Sequence, residues 1–277
     1  MFLSRTIRLI PLFSICFVMC GAGAEAATLA AHRAYYTLDA KRMDPESGLA
    51  SVSGRLAYEI KGSDCEGYAV SYRMANRFTR GDGTEPQESD FRLTSFETGD
   101  GLTLDVQESQ FANAKAEANS RVKARRDTPE SAADGELSGD ESKTFKVDAK
   151  ALFPTVFQKK IVDVALSGAS RDDSIVFEGT EGDKAQHVIT FIGAKKTGYE
   201  LAGMDEATKA EFAKLAYWPI TMSYYPVDAT GDAQPTYQSS FLMFENGVST
   251  ELLMDYGTYA LTGKLSKLDV FKTDACK

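Results

Sequence analysis

The chain of 277 residues has few of the side chains on which enzymes most often depend. Only two histidines are present, His32 and His187, and tryptophan occurs once. A serine hydrolase needs a histidine base beside its nucleophile, and neither histidine lies in a zinc-ligand spacing such as H-E-x-x-H. Both are predicted to be packed or hydrogen-bonded strand residues. The sequence therefore predicts a protein that is not an enzyme and that holds no metal or other cofactor.

Apolar runs long enough to span a membrane are also missing from the sequence. Residues 9–20 are almost wholly apolar, but a spanning helix needs roughly 20 such residues. The run follows Arg5 and Arg8 and precedes Ala24-Glu25-Ala26, which fits the A-x-A cleavage rule of secretory signals. The pattern predicts a cleavable signal peptide over 1–26, a mature chain that does not span the membrane, and a periplasmic location.

Cysteine is scarce, with four in the whole chain, and Cys16 and Cys20 lie in the predicted leader. Cleavage leaves Cys65 and Cys276. A secreted chain with two cysteines most simply forms one disulfide. Because neither cysteine has a histidine beside it in sequence, we expect a structural disulfide and not a redox site.

Basic residues are outnumbered by acidic ones, 31 against 40, which gives a net charge of −9. Such a surface repels nucleic acid and anionic lipid headgroups, so neither is expected as a partner. Acidic residues concentrate over 127–142, which has no aromatic residue and one leucine. A segment of this kind buries too little apolar area to offset its ordering entropy. We predict a mobile acidic loop there, with a cation or partner site as the alternative.

Neighbouring carboxylates also occur elsewhere, as Glu178 with Glu181 and as Asp205 with Glu206. Paired carboxylates perform acid–base chemistry only at a suitable separation in space. Acids close to loops and helix starts are usually solvated, so these pairs are predicted to be solvated, and no glycosidase activity is inferred from them.

Most of the remaining chain alternates apolar and polar residues, which is typical of strands with one buried and one solvated face. The alternation is clearest over 52–61, 68–75, 102–106 and 187–191. Asn246-Gly247 separates two further strands and predicts a hairpin with a type I′ turn. A single β-rich domain over 27–277 is expected.

Helix is scarce in the predicted structure. Pro154 suits the first turn of a helix that runs to Ser167 and ends at Gly168. A second short helix is predicted over 205–216. Both helices are expected to pack on the sheet.

Aromatic residues cluster on the predicted strands. Those that could form a ligand or partner face are Tyr58, Tyr68, Tyr72, Trp218 and Tyr224. Core packing is one interpretation of this cluster. The other is a curved sheet whose concave apolar face holds an acyl chain or a peptide.

Short motifs occur in a fixed order along nearly the whole mature chain. They are HRAYY at 32–36, GLASVSG at 48–54, DCEGY at 64–68, FPT at 153–155, WPI at 218–220, FENGVS at 244–249, DYG at 255–257 and the terminal Cys276. In this ordered set the chain resembles the EipB family, which comprises alphaproteobacterial periplasmic proteins that support cell-envelope integrity.

The resemblance implies a mainly β fold, with a large curved or spiral antiparallel sheet and one or two short helices. Such a sheet is similar to the half-barrels that carry lipoproteins across the periplasm. The resemblance also implies a disulfide joining Cys65 to Cys276, and a non-enzymatic role in envelope integrity that depends on a protein partner. One alternative is a carrier that shields a lipid, a lipoprotein acyl chain or a peptide in the cupped sheet. A second alternative is a peptidoglycan hydrolase with an acidic pair as general acid and base.

Overall fold

The alternating segments of the sequence form strands of one extended sheet within residues 27–272, which are the residues that the computed structural model describes. Cys65 lies in the turn between the second and third strands. The leader over 1–26 and Cys276 lie outside the described residues, so the signal peptide and the disulfide stay predictions.

The first eight strands form what we call the first arm of the sheet. They are β1 (His32–Met43), β2 (Leu49–Ser63), β3 (Gly67–Arg80), β4 (Gln87–Glu97), β5 (Thr103–Ala112), β6 (Lys115–Arg125), β7 (Ala133–Gly139) and β8 (Lys143–Val147). Each strand pairs antiparallel with the next one along the chain. The first arm is therefore a meander built from local hairpins.

The remaining strands form the second arm. They are β9 (Ala151–Leu152), β10 (Arg171–Val176), β11 (Gln186–Ile192), β12 (Tyr217–Pro226), β13 (Tyr237–Phe244), β14 (Ser249–Asp255) and β15 (Tyr259–Val270). Only the short pairing of β9 with β10 is parallel among these described strands. The second arm is thus a second, almost wholly antiparallel meander.

The two arms are joined where β1 pairs antiparallel with β15, with His32 opposite Val270. The strand order then runs from β8 at one edge to β9 at the other. These edges come close together, because the ring centroid of Phe145 in β8 lies 5.8 Å from that of Phe177, just after β10. The sheet therefore curls until it is nearly closed, which confirms the predicted mainly β, curved antiparallel fold.

Two α-helices pack against the sheet, α1 (Pro154–Ser167) and α2 (Glu206–Phe212). The first has the predicted bounds, and Gly168 ends it with a φ of 82°, a left-handed conformation that glycine adopts without strain. The second is shorter than the predicted 205–216, because β12 begins at Tyr217 and residues 213–216 form the turn into it. No helix in the described part of the chain is long and apolar enough to cross a membrane.

The predicted hairpin is present, but its turn is not of type I′. Gly247 has a φ of 82°, whereas Asn246 is not among the residues with positive φ. The Gly247 amide donates to the Phe244 carbonyl at 2.8 Å, and the Val248 amide donates to Asn246 Oδ1 at 3.2 Å. The Phe244 amide donates to the Val248 carbonyl at 2.8 Å, so three residues, 245–247, connect this hydrogen-bonded pair. This connection, with a single left-handed glycine, replaces the predicted two-residue turn.

The prediction of a loop over 127–142 is wrong, because β7 occupies Ala133–Gly139 in the middle of this segment. Ala133 and Leu137 are buried, while the acidic residues between them face solvent. A side chain at Gly135 would collide with the Phe145 ring, so the glycine lets this ring cover the strand. The strand has few apolar residues of its own, but it is ordered because it pairs with β6 and β8 and is covered by Phe145.

Candidate ligand-binding cavity

The concave side of the sheet lines a half-open cavity of about 640 Å³ between the strands and α1. This volume falls within the roughly 300–1,000 Å³ typical of small-molecule sites. The wall takes residues from β2 to β5 of the first arm, from β12 and β13 of the second arm, and from the first half of α1. A smaller cavity of about 280 Å³ adjoins it and shares Tyr58, Tyr72 and Tyr237 in its wall.

The candidate aromatic face is divided between this cavity and the core. Tyr58, Tyr72 and Tyr224 line the cavity. Tyr68 and Trp218 are each 2% exposed and belong to the core cluster that includes Phe157 and Ile161 of α1. All five lie on the concave side of their strands, but α1 covers these two, so only the three tyrosines remain open to the cavity.

Three tyrosine hydroxyls in the wall have a methionine sulfur among their acceptors. They donate to methionine sulfur, Tyr72 to Met74 at 3.5 Å, Tyr224 to Met222 at 3.6 Å and Tyr256 to Met254 at 3.9 Å. A thioether sulfur is a weak acceptor, and methionine side chains adapt readily to a partner's shape. The methionine side chains beside these hydroxyl groups can therefore adapt to the shape of a bound molecule.

Three carboxyl side chains also line the cavity: Glu108, Glu178 and Glu181. Glu108 is 7% exposed, and its Oε1 accepts from Gln110 Nε2 at 2.7 Å. Its Oε2 has no hydrogen-bond partner among the described residues. Burial raises the pKa of Glu108, because the charged form loses its water there. The strand alternation places Glu108 on the same face as Leu104 and Val106, a signal that the sequence analysis missed.

Glu178 lies just beyond β10 in the cavity wall. Burial first, and the charge of Glu181 second, raise the pKa of Glu178 to about 7. Glu178 is half-buried and faces the cavity, so it is less solvated than predicted. Among the described residues that line this cavity none is lysine, arginine or histidine, so its charge is of one sign.

The histidines occupy two different environments. His32 lines the smaller cavity, is 2% exposed, and has Nδ1 2.7 Å from the Ala30 carbonyl oxygen. Burial lowers the pKa of His32, which favours the neutral ring at pH 7. His187 lies on β11 with Nε2 2.5 Å from Asp173 Oδ1. The predicted hydrogen-bonded strand histidines are confirmed. Within residues 27–272, no group of three or more His, Cys, Asp or Glu side chains could hold a metal ion.

The helix that covers the cavity is attached to the sheet by polar contacts. Glu97 of β4 is 2% exposed and accepts from the amides of Thr155 at 2.7 Å and Val156 at 3.1 Å. Farther along α1, Lys160 Nζ lies 2.7 Å from Asp172 Oδ1 of β10. Both arms of the sheet therefore hold α1 over the cavity.

The fold and the cavity together define a class of β protein in which one curled, nearly closed sheet and a covering helix surround an apolar chamber. Comparison with family models narrows this class. The chain belongs to the EipB-like family, whose model matches residues 23–272. The resemblance seen in the short motifs is therefore confirmed.

Individual relatives agree with this assignment. The chain is 30% identical over 260 residues to the cell envelope integrity protein EipB of Brucella abortus (strain 2308), covering 93% of this chain and 90% of the relative. It is also similar to the crystal structure of a beta-barrel-like protein of a domain of unknown function from Brucella abortus. That match has a TM-score of 0.82 and 27% identity, and it covers 89% of this chain and 100% of the other.

Proposed function

We propose that this protein supports cell-envelope integrity from the periplasm without catalysing a reaction, and that it works by holding an apolar ligand in the central cavity. The similarity to a cell envelope integrity protein supports the role in envelope integrity. The cavity on the concave side of the sheet is the observation that carries the second part. An acyl chain or an apolar segment of an envelope protein would suit this cavity. The protein partner implied by the family resemblance would then be the molecule that carries this chain or segment.

The composition of the wall supports binding of a flexible apolar group. Methionine and aromatic side chains dominate the surface between the two arms, including Met74, Met222 and Phe241. Such side chains offer a large contact area and repack around different shapes. The concave placement keeps this apolar surface away from the acidic exterior.

The first experiment is native mass spectrometry of the mature protein purified gently from its own envelope, followed by titration with the uncharged fluorescent probe N-phenyl-1-naphthylamine. We expect a bound hydrophobic mass and saturable fluorescence enhancement. A ligand-free spectrum together with no saturable uptake of the probe would overturn the proposal.

A matched pair of variants locates the binding. Ser95 lines the cavity, whereas its neighbour Thr94 lies on the outer face of β4. Ser95→Trp should fill the cavity and abolish probe uptake, and Thr94→Trp should bind like the wild type. Equal binding by both variants would place the probe elsewhere on the protein.

The non-enzymatic part of the proposal has its own test. Purified protein is incubated with peptidoglycan, and the released muropeptides are separated by chromatography. We expect the pattern to match that of peptidoglycan incubated alone. New muropeptides that disappear in a heat-denatured control would show hydrolysis and contradict this part.

A further inference from the structure

The charge inside the cavity has one sign, which restricts the ligand more than the apolar wall does. Glu108 enters from β5, while Glu178 and Glu181 enter from the segment after β10. The described lining residues include no lysine, arginine or histidine. A carboxylate or phosphate placed here would find like charge and no cation, and the repulsion is strongest beside the buried Glu108, where water screens least.

Glu108 has an unused acceptor in this wall. The side chain is 93% buried, as its exposed fraction of 7% shows, and its Oε2 accepts no hydrogen bond from any described residue. A buried polar atom without a partner costs free energy. A ligand that donates a hydrogen bond would remove this cost, and a charged donor would do so more strongly than a neutral one.

We propose that the cavity binds a linear amphiphile with an apolar chain and one protonated amine, the ammonium group donating to the unpartnered Oε2 of Glu108 in a wall that also holds the carboxyl group of Glu178. This inference rests on the proposed function, because the apolar chain occupies the same cavity. The tyrosine rings of the wall add to it, since a cation is attracted to an aromatic face. Fatty acids and other anionic chains are the ligands that the cavity rejects.

Three ligands with the same fourteen-carbon chain test this selectivity: tetradecylamine, tetradecanol and tetradecanoate. Each is used below its critical micelle concentration at pH 8 to displace the uncharged probe from the mature protein. We expect the amine to bind at least about tenfold more tightly than the alcohol, a difference of about 1.4 kcal/mol, and the acid to bind weakest.

Charge-neutralising variants identify the groups responsible. Glu108→Gln with Glu178→Gln keeps the shape of both side chains and removes both charges. We expect the amine to lose its advantage over the alcohol while alcohol binding is unchanged. Glu117→Gln, on an exposed position of β6, is the matched control and should keep the wild-type preference. If the double variant does not fold, each single variant should still lose part of the preference.

The pH dependence gives a second readout. The titratable groups around Glu178 are Glu181 beside it, Glu108 of β5, His32 in the adjoining cavity, and Tyr58, Tyr72, Tyr224, Tyr237 and Tyr256. Burial raises the pKa of all five tyrosines, so they stay neutral. Since Glu178 has a pKa of about 7, amine affinity should rise from pH 5 to pH 8 while alcohol affinity stays level.

The outcomes separate this inference from the proposal on which it rests. If all three chains displace the probe equally, or if the acid binds best, the amine preference is wrong and the apolar cavity site stands. If no chain displaces the probe and the probe itself does not bind saturably, both are overturned. Loss of preference in the Glu117→Gln control would also contradict the assignment to Glu108 and Glu178.

Discussion

The two helices begin in different ways, and the difference concerns where the first amide groups find their acceptors. Phe153 at the N-cap of α1 offers no side-chain acceptor. The amides of Thr155 and Val156 instead bond to Glu97, and Thr155 lies 58 residues from it in sequence. This end of α1 therefore depends on the sheet already being in place.

The shorter helix, α2, carries its own cap. Asp205 precedes it directly and accepts from the amides of Ala207 and Thr208, each at 3.0 Å. Such a cap forms within one turn of chain and needs no other part of the protein. α2 thus begins from a local signal, whereas α1 begins from a tertiary contact.

The two capping carboxyl groups also titrate in opposite directions. Burial raises the pKa of Glu97 above its ordinary value of 4.5, so its contribution to stability is lost as the pH rises through the raised pKa. Hydrogen bonds from Thr208 lower the pKa of Asp205 below 3.8, so its contribution is lost as the pH falls through the lowered pKa. A helix cap supplied by the sheet therefore differs from a local cap in its burial and in its response to acid.

The largest expected loss of stability comes from a substitution in the buried face of α1, which packs on the sheet. Ile161 is fully buried, so Ile161→Ala should lower the free energy of unfolding by about 2–5 kcal/mol through lost contacts and a cavity. Urea unfolding followed by circular dichroism measures the change. Leu166→Ala on the same helix, where the side chain is 46% exposed, should stay within about 0.5 kcal/mol of wild type. Equal losses in both variants would contradict the buried packing of α1.

The next largest loss is expected when the carboxyl group of Glu97, which caps α1 from the sheet, is removed. Glu97→Ala leaves two amides of α1 without their acceptor inside the protein, which should cost about 1–3 kcal/mol of unfolding free energy. Glu97→Gln keeps one acceptor oxygen and should cost less. The exposed Glu85→Ala is the control in the same urea titration. Wild-type stability of Glu97→Ala would mean that the α1 amides are satisfied without β4.

The local cap should have a smaller effect. Asp205→Ala removes the acceptor at the start of α2 and should cost about 1 kcal/mol. Asp205→Asn keeps an acceptor oxygen and should fall within a few tenths of a kcal/mol of wild type. The same unfolding experiment at pH 7 measures both variants. If Asp205→Ala lost more unfolding free energy than Glu97→Ala, the local cap would contribute more to stability than the cap supplied by the sheet, which would contradict this prediction.

The smallest effect is the opposite pH dependence of the two caps. Melting temperatures of wild type, Glu97→Gln and Asp205→Asn are measured from pH 3 to pH 7. As the pH rises above about 4.5, wild type should lose stability relative to Glu97→Gln, because the buried carboxyl group ionises. As the pH falls below about 3.8, wild type should lose its advantage over Asp205→Asn. Parallel curves would show that the two carboxyl groups share one environment.

The same contrast explains what the sequence could predict. Local signals gave α1 its bounds, since Pro154 and Gly168 mark its ends whatever lies around them. The residue that caps α1 could not be predicted, because Glu97 reaches it only through tertiary folding. The acidic strand β7 was missed for a related reason. The strand pairs with β6 and β8, and the Phe145 ring packs over Gly135, contacts that composition does not reveal.

The cavity was partly predictable. Alternation placed Tyr58, Tyr72 and Tyr224 on one face, and that face does line the cavity. It could not show that α1 would cover Tyr68 and Trp218, because the position of a helix over a sheet depends on the folded topology.

The pairing of β1 with β15 has a consequence for the order of events during folding. Each arm is a meander whose hairpins close between neighbouring segments, but Ser266 of β15 bonds to the Tyr35 carbonyl across 231 residues. Such long-range pairing is slow, because much chain entropy is lost before any contact forms. During synthesis, the edge of β1 that pairs with β15 stays unpaired until β15 has been made. An unpaired strand edge is a site for mispairing. We therefore expect two stages in refolding: the hairpins of each arm form first, and the pairing of β1 with β15 follows in a slower phase.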